Sequence, residues 1–486
     1  MKRAFAVLVS LLSIASFAPA ARANGPILFS GKVDLTPSNG EPVAVFLYRG
    51  NSKTDVAFTT NRKLVATTQT DSDGRFVFLL TDLPIVDDLT IRAKNPALKL
   101  GGDAIVTKPS DTAWPESNDV PSPIVLTPQP DPNFGIRINR YARTPMTFVT
   151  DREARPTGFA NTAASNETLR SGTFFAHVAL GNGQSVEHVC GLAIDWICGE
   201  APVSNDDAFI DPPKVEAIGA AVTGSLTRVV AAAHGNQILL FVHGYNNTFQ
   251  QGAKTAARLS YLMEPSAHST IYYSWPSAAK LLGYPQDQKN AELSAFNLVK
   301  VLNTLTAGAH PPKIVLVGHS MGSYVLTSAL YIWALENPNK RNAFSNLDLF
   351  AGDLDVALWE ARRAAISRVV GHIKFYTNSA DQALHVSECA TGDARPRIGQ
   401  VTSWQAPVIG FDATRFASTN GFGHGYLVES TSVALDWYRS SNNLSFANPV
   451  PQLVKTPWLA DGGGSLIDTG KLTASAVCRL FANLHA

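Results

Sequence analysis

The sequence predicts a doubly wound, mostly parallel α/β domain preceded by a small all-β sandwich, and three observations predict it. Six apolar runs recur between Ile238 and Ala413, each continuous and not alternating, and continuous runs mark strands buried on both faces of a parallel sheet. Between them lie segments with helical spacing, such as 290–305, where Leu298, Val301, Leu302 and Leu305 fall on one stripe. Upstream, from Gly31 to about Ala93, the pattern is one of short alternating strands broken by turn residues, which is the rhythm of a sandwich. Strand followed by helix over six strands means a doubly wound sheet with right-handed crossovers.

At 486 residues the chain is long for one ordinary domain, and its 45% apolar content is ample for a core with a second module beside it. Forty basic against thirty-nine acidic side chains leave no net field, so composition offers no electrostatic case for nucleic acid or an anionic membrane. The expected partner is a small molecule or a lipid or polymer ester, with no nucleic acid.

Residues 1–23, MKRAFAVLVSLLSIASFAPAARA, have two cations, an apolar run and small residues at the end, the three-part pattern of a secretory signal cut after Ala23. That predicts a secreted or periplasmic protein beginning near Asn24. The apolar run is short for a bilayer span and no other stretch approaches ~18 apolar residues, so no transmembrane span is expected in the mature chain. Cys190, Cys198, Cys389 and Cys478 allow two disulfides in three pairings, of which Cys190–Cys198 is the easiest local loop. Without a CxxC motif they are not read as metal ligands.

Residues 24–105 form the expected sandwich, with strands at 43–48, 64–70, 75–80 and 89–93. The stretch DSDG, Asp71 to Gly74, reads as a turn, because a calcium loop would need a third ligand and a downstream glutamate. The run TDSDGRFVF after NGEPVAVFLY resembles carboxypeptidase-regulatory-like, transthyretin-type modules of secreted bacterial proteins. That resemblance implies a non-catalytic module; apart from it, the sandwich is a candidate for contact with the cell envelope. Seven prolines between Pro109 and Pro132 remove backbone donors and favour extended chain, so 106–135 reads as a semi-rigid linker. The α/β domain is expected over 136–440 and an irregular extension over 441–486.

Within the α/β domain, KIVLVGHSMGS runs from Lys313 to Ser323, four β-formers leading into Gly318-His319-Ser320-Met321-Gly322 and then a helical pattern. In an open parallel sheet reactive groups collect at the carboxyl ends of strands, where helix N-termini present free N–H groups. Glycines two residues either side of Ser320 suit a sharp strand-to-helix turn that holds the serine hydroxyl out of the sheet. A serine at its free pKa is a poor nucleophile and needs a base, itself oriented by an acid. Asp381 falls just past the second strand after Ser320, and His424, between Gly423 and Gly425, falls after the third; they are the expected acid and base. Asp353 and Asp355, after the first following strand, are the alternative acids, and His319 reads as a pocket wall. His372 and His385 default to surface or packing.

The acyl transition state carries an oxyanion that must meet preorganised N–H donors. Met321 and Tyr245 are the expected donors, the latter in the loop His243 to Asn247, whose alternative reading is an ordinary Asn-rich turn. Trp275, with Pro276 and Tyr284, is a candidate pocket wall, and 277–287 a candidate small lid.

The segments TFVTDREA, LLFVHGYNNTF, YYSWPS followed by LGY, VLVGHSMGS, NSADQAL, RPRIG and GHGY occur in order from about Met146 to Tyr438. In them the chain resembles a bacterial α/β-hydrolase family catalogued as a domain of unknown function. The resemblance implies an α/β-hydrolase fold and a Ser320–Asp381–His424 triad, and leaves the substrate open. Taken together, the expected function is a secreted serine hydrolase acting on carboxylic esters, with no cofactor and no metal. The same geometry would serve an amidase or acyltransferase. The alternative from another class is a cell-envelope binding protein on a hydrolase scaffold.

Overall fold

The structure, a computed structural model, describes residues 27–52, 64–80, 88–95, 98, 100–108, 114–115, 117–120, 123–128, 140–156, 158–164, 168–180, 208–233, 237–263, 268–280, 283–308, 310–391, 395–414 and 423–442. The expected signal segment, Cys190, Cys198, Cys478 and nearly all of the expected C-terminal extension lie outside these residues. Cys389 is disulfide-bonded.

The N-terminal module is built from β1 (Ile27–Asp34), β2 (Ala44–Arg49), β3 (Leu64–Gln69), β4 (Arg75–Leu80), β5 (Leu89–Asn95), β6 (Leu100–Val106), β7 (Ser117–Asp119), β8 (Ile124–Val125) and β9 (Thr127–Pro128). One sheet runs β4-β1-β7 with β8 also on β1; the other runs β3-β2-β5-β6-β9. Their inner faces, including Phe29, Val45, Leu47, Phe76, Phe78 and Ile91, form one apolar core.

A linker is expected over 106–135, but the described residues between 114 and 128 belong to the sandwich; 129–135 lie outside the described residues. Trp114, Val120, Ile124 and Leu126 are buried in the sandwich core, and β7, β8 and β9 add to its two sheets. Pro128 is tolerated in β9 because that strand lies at a sheet edge. DSDG is a turn: Asp71 Oδ1 accepts from the amides of Asp73 (2.9 Å) and Arg75 (2.8 Å), which engages the carboxylate within the turn.

The second module has β10 (Arg140–Thr150), the hairpin β11 (Arg152–Arg155) and β12 (Gly158–Ala163), then β13 (Arg170–Leu180), β14 (Phe209–Ile210), β15 (Lys214–Ile218) and α1 (Ala221–Ala231). From there strands and helices alternate: β16 (Gln237–Val242), α2 (Phe249–Leu262), β17 (Ser269–Ser274), α3 (Tyr284–Leu305), β18 (Lys313–His319), α4 (Met321–Glu336), β19 (Phe344–Phe350), α5 (Val356–Val369), β20 (Val370–Thr377), α6 (Gln382–Thr391) and β21 (Val408–Asp412), closing with α7 (Tyr426–Glu429) and α8 (Thr431–Asn442). All six strands predicted from continuous apolar runs are present. The ten-stranded sheet runs β14-β13-β10-β17-β16-β18-β19-β20-β21, with β15 also on β13. From β10 through β21 the pairings are parallel; β13 joins β10 antiparallel.

Alternation along β18 shows why its apolar run is continuous. Ile314 and Leu316 face a core built with α3 and α4, while Val315 and Val317 face one built with α2, α7 and α8. Val325, Leu326, Ala329 and Trp333 of α4 are buried. The chain leaves β16 to form β17 on one side and returns to form β18 on the other, so the β16/β18 boundary is the topological switch point where a crevice opens at the carboxyl ends. Among the described residues no helix is long and apolar enough to cross a membrane.

The sandwich touches this end of the sheet through its DSDG turn. Ser72 donates to the Ala279 carbonyl from both its amide (3.0 Å) and its hydroxyl (3.1 Å), and Asp73 pairs with Lys280 at 3.1 Å.

Candidate active site

Ser320 sits between β18 and α4 with φ 54° and ψ −129°, a backbone conformation that a side chain opposes. The neighbours show what fixes it. A Cβ on Gly322 would lie 2.3 Å from the Val242 carbonyl oxygen and 2.4 Å from that of His243, and one on Gly318 would meet Ser323 Cα at 3.0 Å. The elbow is thus pressed against the end of β16, where only glycine fits at 322, and the flank at 318 is tight. Ser320 N–H donates to Phe350 O (3.0 Å), and Ser320 O accepts from the amides of Ser323 and Asp353. Met321 opens α4, at the helix end where amides lack a helical carbonyl four residues before them.

Asp381 and His424 come together. Asp381 is fully buried where β20 gives way to α6, and His424 Nδ1 donates to its Oδ2 at 2.7 Å. Its Oδ1 accepts from the Leu384 amide at 3.1 Å. The loop carrying His424 is held from both sides: Asn378 Nδ2 donates to Gly423 O (2.7 Å), and His319 Nε2 lies 3.2 Å from His424 O. The His319 and His424 rings are 4.9 Å apart. Burial, with the neighbouring His424 charge, pushes the His319 pKa down to about 3, so it stays neutral and its Nε2–H can serve that carbonyl. His319, half-buried, therefore steadies the His424 backbone.

The alternative acids have other partners. Asp355 caps α5, accepting from Ala357 N (2.7 Å) and Leu358 N (3.2 Å), and pairs with Arg395. Asp353 accepts from Tyr284 OH (2.7 Å) and Ser387 Oγ (2.8 Å), with Arg397 at 3.5 Å. Burial raises the Asp353 pKa against the opposing pull of Arg397. His385 binds Glu388 and Gln400, and His372 is exposed.

Across from this pair lies the loop His243 to Asn247. Asn246 has φ 55°, and Asn247 Nδ2 donates to the carbonyls of Gly244 (3.3 Å) and Tyr245 (2.8 Å), so the loop is the Asn-rich turn as well as a neighbour of Ser320. Gly244 is the point of contact, since a Cβ there would lie 2.8 Å from Ser320 Cβ. His243 Nδ1 is 2.8 Å from Gly244 O. In a trans peptide the next amide points opposite that carbonyl, so the Tyr245 N–H faces away from the His243 ring. The Tyr245 phenol donates to Lys280 O at 2.7 Å, and burial raises its pKa.

Trp275 is a correction to the sequence reading. It is fully buried, stacked on His243 (centroids 5.2 Å, 8° between planes), and its Nε1 donates to His243 O at 2.7 Å. It underlies the loop instead of facing a substrate, because a tryptophan with its N–H satisfied in the core has no reason to turn outward. Of the expected lid, the start of 277–287 is pinned: Ser277 Oγ and Ala278 N both donate to the Asp287 carboxylate at 2.5 Å. Burial raises the Asp287 pKa to about 6.

Sequence reasoning missed Arg152, which is fully buried and touches both this loop and the one after β17. Its signal was present only as the DR pair of TFVTDREA.

Residues 219–439 match the family described as alpha/beta hydrolase of unknown function (DUF900). No curated protein matches the chain. Among solved structures, a lipase-esterase related protein from Clostridium acetobutylicum ATCC 824 is similar at 20% identity and a TM-score of 0.15, over 26% of this chain and 47% of that one. The chain thus spans about half the length of that protein.

Proposed function

We propose that this α/β-hydrolase domain is a secreted serine hydrolase that cleaves carboxylic esters through an acyl-enzyme. The observation that carries the reading is the 2.7 Å bond from His424 to a fully buried Asp381, at the end of the sheet where Ser320 is held on a strained turn. Ser320 Oγ attacks the ester carbonyl carbon while His424 Nε2 takes its proton. The imidazolium that forms is stabilised by Asp381, which also fixes the tautomer with the proton on Nδ1. The amides of Met321 and Tyr245 receive the oxyanion. Collapse expels the alcohol with the proton from His424, and water then repeats the sequence on the acyl group, restoring the Ser320 hydroxyl.

The test uses the mature protein and its Ser320→Ala variant. A fluorophosphonate probe should label the first and not the second, and a chain-length series of aryl esters should be turned over only by the first. A wild type that takes no probe and hydrolyses no ester sinks the reading. A preference for short acyl groups would separate it from a lipase.

A further inference from the structure

A guanidinium in a protein core is costly unless its donors are engaged. Arg152, at the start of β11, engages all of them. Nε donates to Ser274 Oγ (2.9 Å); Nη1 to Ala160 O (3.3 Å), Asn161 Oδ1 (3.1 Å) and Ser277 O (3.2 Å); Nη2 to Asn247 O (2.8 Å) and, at 3.4 Å, to His243 Nε2. None of these partners is a carboxylate, and Asp151 and Asp287 act on the cation only through space. The chain therefore keeps a buried positive charge whose bonds go to three backbone segments: the β11–β12 hairpin, the loop after β17, and the loop after β16.

The contact with His243 has a direction. Arginine can only donate, so His243 Nε2 accepts. Burial, with Arg152 next to it, lowers the His243 pKa to about 3, which leaves the ring one proton. That proton belongs on Nδ1, where Gly244 O at 2.8 Å is the closest ring contact, although Trp275 O also lies 3.1 Å from Nε2. Arg152 thus selects the tautomer that turns the Gly244 carbonyl inward, and turning that carbonyl inward turns the Tyr245 amide outward.

We propose that Arg152 is the positioning residue of the oxyanion hole, fixing through His243 and the Asn247 carbonyl the direction in which the Tyr245 N–H points. This rests on the serine-hydrolase reading. A donor displaced by about 1 Å loses on the order of 10²-fold in rate, and loss of one oxyanion donor costs about 10²- to 10³-fold in kcat.

The experiment compares wild type with Arg152→Lys and Arg152→Met, each the full mature chain with folding checked by circular dichroism. Lysine keeps the charge and loses the fork; methionine loses both. The expected result for both is a fall in kcat of about 10²-fold on an aryl ester, with KM within about threefold. Affinity for an arylboronic acid, a tetrahedral mimic, should fall in step with kcat. Substrate affinity should hold when the same substitutions are made beside Ser320→Ala.

Variants that lose thermal stability but keep wild-type kcat and boronate affinity overturn the proposal. If neither folds, Asn161→Ala removes one anchor of the guanidinium without touching the loop after β16. It should lower kcat and boronate affinity together by about three- to tenfold, and wild-type values for both overturn the proposal. A wild type without activity or probe labelling overturns both readings, whereas an active wild type with indifferent Arg152 variants overturns this one alone.

Discussion

The two sides of Ser320 are built on different terms. Toward α6 a single short bond joins His424 to Asp381, and the imidazole keeps 18% of its side-chain surface exposed. Toward β16 a buried cation with a full set of bonds and a neutral buried histidine hold a backbone loop, and both are almost wholly shielded from water. In the proposed reaction the first side changes charge during each turnover, and access to solvent eases that change. In the same proposal the second side holds a donor in place, and burial with saturated donors is how a loop is made stiff. The contrast suggests a division of labour: proton transfer on the α6 side, preorganisation on the β16 side.

The largest way to break the contrast is on the α6 side. Asp381→Asn should leave the fold intact but lower ester kcat by about 10³- to 10⁴-fold, because the amide presents the wrong partner to Nδ1. Steady-state kinetics with a thermal melt reads this; a loss under tenfold would move the orienting acid to Asp353. Asp353→Asn should do the reverse. It strips a carboxylate from buried Arg397, Tyr284 and Ser387, so denaturant unfolding should show a loss of about 3 kcal/mol, while kcat stays within about tenfold.

The smallest effect sharpens the β16 side. Because burial raises the Asp287 pKa to about 6, the folded state binds its proton more tightly than the unfolded chain does. That contribution is full below the unfolded value of 3.8 and is lost as pH rises through about 6. Unfolding free energies of wild type and Asp287→Asn, compared across pH 3.5 to 7, should therefore diverge by on the order of 2 kcal/mol, with wild type losing more as pH rises. Parallel curves would show that the carboxyl is not desolvated.

What the sequence disclosed follows the range over which its signals act. The six parallel strands and the glycines around Ser320 were legible, because burial on both faces and a sharp turn are written into consecutive residues. Strands β10 and β13 were not. Their antiparallel ladder runs the full length of both, yet Arg140, Arg143, Arg170 and His177 interrupt any apolar run. Among the described residues, Pro128 signalled extended chain correctly and a linker wrongly, since sequence cannot say whether an extended segment lies beside a sheet edge. That Asp381 lies where it can meet His424 was legible from strand counting, but the engagement of Asp353 by partners up to 69 residues away is tertiary. Arg152 was hidden for the same cause: a lone arginine reads as surface, and its contacts reach 8 to 125 residues along the chain.

Consider, finally, the torsion angles at Ser320. Glycine would rest there without penalty, and any other residue costs on the order of 1–3 kcal/mol. An engineer screening this chain for heat resistance alone would thus be rewarded for erasing its hydroxyl. With Ser320 as the proposed nucleophile, selection for robustness and selection for reactivity pull apart at that position, and a thermostability campaign needs an activity screen running beside it.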